Sequence, residues 1–107
     1  MPKYNKLVRD KIPEIIELTG KKYVTRALSE EEYIKELTNK SFEELEEYRS
    51  AVTKEEALEE LADLMEVIHA FAKYHNTTLD EVEKLRRKKA VKRGAFKEKI
   101  FLVEVED

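Results

Sequence analysis

Residues 41–49, SFEELEEYR, and residues 55–69, EEALEELADLMEVIH, decide how this chain folds. In both, apolar residues recur at steps of three and four, the spacing of one helix face. Each also carries two acids three residues apart: Glu44 and Glu47 in the first, Glu60 and Asp63 in the second. At about 100° per residue, Glu44 falls among Tyr33, Leu37, Ser41, Tyr48 and Ala51. Glu60 falls in the same way among Leu64, Val67 and Phe71. Glu47 and Asp63 lie about 60° round, at the edge of each stripe. Carboxylates turned toward a core are costly unless something positive meets them. Four of them on two facing helices suit a hard divalent cation with oxygen ligands.

Working outward, the chain of 107 residues has the length of one domain, 1–107. Charged residues make up 42% and hydrophobic ones 41%, with two Gly, two Pro and no Cys or Trp, which suits an ordered helical protein. The lack of Cys excludes disulfides, thiolate metal sites and thiol catalysis. No apolar run approaches a membrane span and no signal-peptide core opens the chain, so a cytoplasmic protein without membrane contact is expected. A net charge of −3 argues against the whole molecule being an electrostatic nucleic-acid binder, although its C-terminal third is locally basic.

Residues 1–11, MPKYNKLVRDK, lack a helical stripe and read as an extended arm carrying Lys6, Arg9 and Lys11. Asp10 is placed to cap a short helix, Ile12–Leu18, with Pro13 in its first turn and Gly20 beyond its end. Residues 22–28, KYVTRAL, are rich in β-formers and predict a short strand. Ser29 with Glu32 forms a capping box that opens a second helix, running to about Ala51. Thr53, again with a Glu three residues on, opens a third, apolar over half its circumference, that ends at His75 and Asn76. Thr77 or Thr78 caps a fourth helix, which Gly94 stops. Residues 100–105, IFLVEV, predict a second strand, pairing with 22–28 or with the N-terminal arm. The fold class expected is mainly α: a four-helix bundle with short peripheral strands.

Among 24 acidic residues, pairs three apart arise often by chance, as Glu43/Glu46 and Glu56/Glu59 illustrate. The four acids of the opening stretches differ by lying on apolar arcs, whereas Glu46, Glu59 and Glu66 point outward. From the residues alone, a metal site and buried acids neutralised by Lys or Arg both stay open. The oxygen-only donor set favours Mg²⁺ or Mn²⁺ over Zn²⁺. On the fourth helix, spacing puts Arg86, Lys89 and Arg93 on the face continuing from Leu79 and Val82, hence inward. Cations aimed at an acid-lined, metal-filled cleft suit a polyphosphate substrate. His69 and His75 share no face and are not expected to ligate. Tyr33 and Tyr48 flank Glu44 and are candidate walls of a base pocket.

The pattern E43-E44-L-E-E47, twelve residues, then E60-L-A-D63, resembles the EExxE…ExxD signature of the all-α nucleoside triphosphate pyrophosphohydrolases, the MazG-like superfamily. K6-L-V-R-D-K-I-P13, D63-L-M-E-V-I68 and K89-A-V-K-R93-G94-A-F96 resemble its branch of small, stand-alone house-cleaning enzymes, often labelled phosphoribosyl-ATP pyrophosphohydrolase-like. The likeness runs from Lys6 to about Leu102. It implies a helical homodimer or dimer of dimers that cleaves a nucleoside triphosphate between the α and β phosphates, giving monophosphate and pyrophosphate. By position, Glu44, Glu47, Glu60 and Asp63 become Mg²⁺ ligands and catalytic acids, with Glu43 just behind them. Lys89 and Arg93 become phosphate-binding, and Arg9 and Lys11 join them. Ser41 stands where a Leu is usual and Ala95 where a second Gly is usual. Other readings are phosphoribosyl-ATP as substrate, a helical dimer that binds nucleotide without cleaving it, and a nucleic-acid adaptor using residues 86–93.

Overall fold

The first event along the chain is a helix without a side-chain cap. In the computed structural model, which describes residues 2–107, α1 is Ile12–Leu18 with Pro13 in its first turn. Asp10 does not cap it, contrary to expectation. The N-cap position falls on Lys11, whose helical backbone lets the turn close through Ile12 N–H to the Arg9 carbonyl at 3.1 Å.

The next boundaries follow local chemistry closely. Ser29 accepts a hydrogen bond from the Glu32 amide at 3.2 Å, and the Glu32 carboxylate accepts one from the Ser29 amide at 3.1 Å. This reciprocal cap starts α2, Glu30–Ser50, with three acids in its positively polarised first turn. Thr53 caps α3, Lys54–Tyr74, by accepting from the Glu56 amide at 3.1 Å. The Glu56 carboxylate reaches back one residue further and accepts from the Val52 amide at 3.0 Å. Asn76, at φ 59, turns the chain beyond α3, and Thr78 caps α4, Leu79–Arg93. Gly94 ends α4 at φ 83, a backbone conformation that favours glycine.

Three residues join α2 to α3, so the two helices fold back on each other as a long antiparallel hairpin. Each spans 21 residues, about 32 Å. Among the described residues, Leu37 from α2 and Val67 and Ala72 from α3 are the buried apolar ones, on the two helices of this hairpin. Tyr33, Ile34, Leu64 and Phe71 are half-buried around them. No helix among the described residues is long and apolar enough to cross a membrane.

The mainly α architecture, with four helices among the described residues, is present, but two finer expectations are corrected. The helices do not close one bundle: α2 packs along α3, α4 touches α3 alone, and α1 packs on no other helix. No strand occurs among the described residues. Residues 22–28 and 100–105 have β-forming side chains, but no main-chain hydrogen bond ties either segment to a neighbour, and a strand requires a ladder partner. The molecule is accordingly open, 60 × 35 × 27 Å with a radius of gyration of 18.2 Å. A compact chain of this length has a radius of about 13 Å.

Candidate metal centre

The hairpin brings the two acid pairs face to face. Glu44 and Glu47 sit one turn apart on α2, and Glu60 and Asp63 one turn apart on α3. Each offers one carboxylate oxygen, and these four atoms all lie within 4.8 Å of one another. Glu44 is only 5% exposed, Glu60 and Asp63 are half-buried, and Glu47 opens to solvent. Such a spacing leaves room for a divalent cation bound by oxygens on every side.

Neighbouring cations neutralise part of this charge and leave part unanswered. The Lys40 ammonium lies 3.5 Å from Glu44 Oε1 and 3.4 Å from Glu43 Oε2. Arg9, from the N-terminal arm, donates to Asp63 Oδ1 at 2.7 Å, and Lys6 reaches Glu43 at 3.4 Å. Glu44 Oε2 and Glu60 Oε2 are buried and have no hydrogen-bond partner. Buried acceptors are normally satisfied, so two orphaned oxygens in one carboxylate cluster fit a group that binds oxygen and is not protein. The donor set is all carboxylate, which suits Mg²⁺ or Mn²⁺.

The crowding is also visible in proton affinity. Its hydrogen bond with the Glu47 carboxyl, then loss of water, then the Glu47 charge push the Glu60 carboxyl up to about 7. Burial raises Glu44 above the ordinary carboxylate range and the charge of Glu47 adds to this, while Lys40 opposes both. The cluster therefore holds a proton near neutral pH that a cation would displace.

Beside the cluster lies a cavity of about 450 Å³, walled by Arg9, Lys11, Tyr33, Lys40, Glu44 and Asp63 among others. Tyr33 is held by a tilted contact with Tyr74, their ring centroids 6.4 Å apart. Arg9, Lys11 and Tyr33 thus line the same cavity as Glu44 and Asp63. Tyr48 does not line the cavity and is exposed.

The cations of α4 lie elsewhere. Lys89 and Arg93 line a separate hollow with Leu85, Lys88 and Lys92, and none of these reaches the acid cluster. Arg86 points to solvent and forks onto Glu83 of its own helix at 2.6 Å. The inward facing expected for Arg86, Lys89 and Arg93 is corrected: α4 leans on α3 only, so its basic face meets no second helix of this chain. Two lining residues escaped sequence reasoning. Lys40 could have been found, since it precedes Glu43 and Glu44 by three and four residues on one helix. Glu66, assigned outward, borders the cavity because the arm folds over that side of α3.

No protein-family model matches the chain, and no solved structure matches it. An uncharacterized protein of Mycolicibacterium smegmatis is 49% identical over 53 residues, which is 50% of this chain and 54% of that protein. The match thus spans about half the length of that relative.

Proposed function

We propose that this chain is a Mg²⁺-dependent nucleoside triphosphate pyrophosphohydrolase, working in the cytoplasm on non-canonical nucleotides as a homodimer or dimer of dimers. One observation carries the reading: four carboxylates from two helices converge within 4.8 Å, and two of their oxygens are buried without a partner. The order and spacing of these acids, and the motifs around Arg9 and Lys89, add the likeness to the MazG-like enzymes.

When bound, Mg²⁺ would neutralise phosphate oxygens and make water more acidic. The chain's own groups supply the rest. Arg9, Lys11 and Lys40 border the cavity as phosphate-binding cations, and Tyr33 forms its aromatic wall. A water oxygen attacks the α-phosphorus, the bond to the bridging oxygen breaks, and pyrophosphate leaves. The water proton passes to a carboxylate of the cluster. With α4 turned away in a single chain, Lys89 and Arg93 could reach a triphosphate only from another subunit.

The test is pyrophosphate release across a panel of canonical and damaged nucleoside triphosphates. The wild type should release it with Mg²⁺ and stop with a chelator. Glu60→Gln, nearly isosteric, should lower turnover by about 100-fold or more with the helical circular dichroism unchanged. Undiminished Mg²⁺-dependent release in that variant removes Glu60 from the site, and no release from any substrate removes the hydrolase reading.

The exposed cations of α4 favour a second reading, a nucleic-acid adaptor, because Lys88, Lys89, Lys92 and Arg93 face solvent with Phe96 exposed just beyond. It predicts DNA or RNA affinity that falls steeply with salt. The acidic net charge of −3 weighs against it.

A further inference from the structure

We propose that residues 100–105 of one chain pair, main chain to main chain, with residues 22–28 of a second copy. The sequence IFLVEV forms neither helix nor turn and is apolar at every position but Glu104, yet it lies in solvent, with Phe101 87% and Val103 80% exposed. A near-continuous apolar run of this length is the pattern of a strand covered on both sides. Its own chain supplies neither a cover nor, among the described residues, a main-chain hydrogen bond. Residues 22–28, KYVTRAL, are in the same condition: outside any helix or turn, β-forming, and without a main-chain partner, with Val24 86% exposed.

The two segments complement each other in charge. Lys21 and Lys22 lead one, while Glu104, Glu106 and Asp107 lie at the end of the other. Both halves of the pair belong to every chain, so a twofold exchange between two copies forms the pair twice and gives every segment a partner. Within one chain the two segments do not pair: no main-chain hydrogen bond joins them among the described residues. The uncovered area points the same way. The accessible surface is 10317 Å², whereas a compact 12.7 kDa monomer shows about 6,200 Å². The excess of about 4,000 Å² is several times the ~800 Å² that each partner buries in an ordinary interface. This pairing is independent of the hydrolase reading and would stand if no nucleotide were cleaved.

The chain has no cysteine, so introduced thiols report cleanly. Thr25→Cys and Leu102→Cys chains, each also made with the neighbouring site (Val24→Cys, Val103→Cys) to cover both registers, carry different tags and are co-expressed. Oxidation should yield a disulfide between differently tagged chains, which requires Cα atoms within about 7 Å. A single chain bearing both cysteines should cross-link between molecules. A cross-link within one molecule would overturn the proposal, and so would no cross-link in any of the four combinations. Removal of residues 100–107 is the second measurement. These residues contribute nothing to the α2–α3 core, so helicity should hold while the dissociation constant of the assembly, measured by sedimentation, rises at least tenfold. An unchanged assembly would overturn the proposal.

Discussion

Glu60 gathers the competing forces of the site into one side chain. Its carboxyl is pushed up to about 7 by Glu47 and by lost hydration, whereas an unfolded Glu titrates near about 4.3. The folded protein thus holds a proton that the unfolded chain releases. Stability from this group is fully present below the unfolded value and is lost as pH rises through about 7. In chelator, the melting temperature of the wild type should fall between pH 5 and pH 8 more than that of Glu60→Gln, which has no proton to lose. Equal pH dependence of the two proteins would show that no strained proton resides on Glu60. Cation binding runs in the opposite sense, because it needs the ionised carboxylate. Mn²⁺ affinity, measured by titration calorimetry, should rise by about tenfold per pH unit until the pH passes about 7. A flat affinity across that window would separate the cation site from Glu60.

At the scale of the helices, boundaries are set by a few hydrogen bonds next to each end. Ser29→Ala removes the hydroxyl that accepts the Glu32 amide and should cost about 1 kcal/mol, read as a lower urea midpoint with an unchanged slope. A midpoint equal to the wild type would mean that water caps α2 as well as Ser29 does. These same local rules explain what could be read before any coordinates. Ser29, Thr53 and Gly94 mark helix ends through bonds and backbone angles that span only four residues, so the sequence displays them directly. The convergence of Glu44 and Glu47 with Glu60 and Asp63 was legible too, because a three-residue connection leaves α3 little choice but to fold along α2. The facing of α4 was not. Leu79, Val82 and Leu85 give it only a thin apolar edge, and which surface that edge meets depends on partners far away in sequence. Residues 22–28 and 100–105 show the same limit: β-propensity describes what a segment will pair with readily, while pairing itself needs a neighbour in the right place.

At the scale of the whole molecule, the core is too small for the surface around it. Among the described residues, Leu37, Val67 and Ala72 are the buried apolar side chains, whereas Leu58, Leu61, Met65 and Ile68 form an exposed stripe down α3, with Phe42 and Leu45 exposed on α2. In the proposed homodimer, a stripe of that length is a candidate contact face for the second chain. Fully burying one Leu or Ile contributes about 1.5–3 kcal/mol, so the side chains left outside rival those inside as a source of stability. The folded state should therefore draw much of its free energy from association, and mass action then ties unfolding to concentration. For a dimer of two chains this size, each tenfold increase in protein should raise the melting temperature by about 3 °C. Scanning calorimetry from 2 to 200 μM (concentrations chosen for the test) should thus shift the transition by about 6 °C, with the midpoint in chelator moving in parallel with that in Mg²⁺. A transition that stays fixed over this range would mean that the α2–α3 hairpin carries the fold alone, and that the exposed stripe on α3 faces water by design rather than awaiting a second chain.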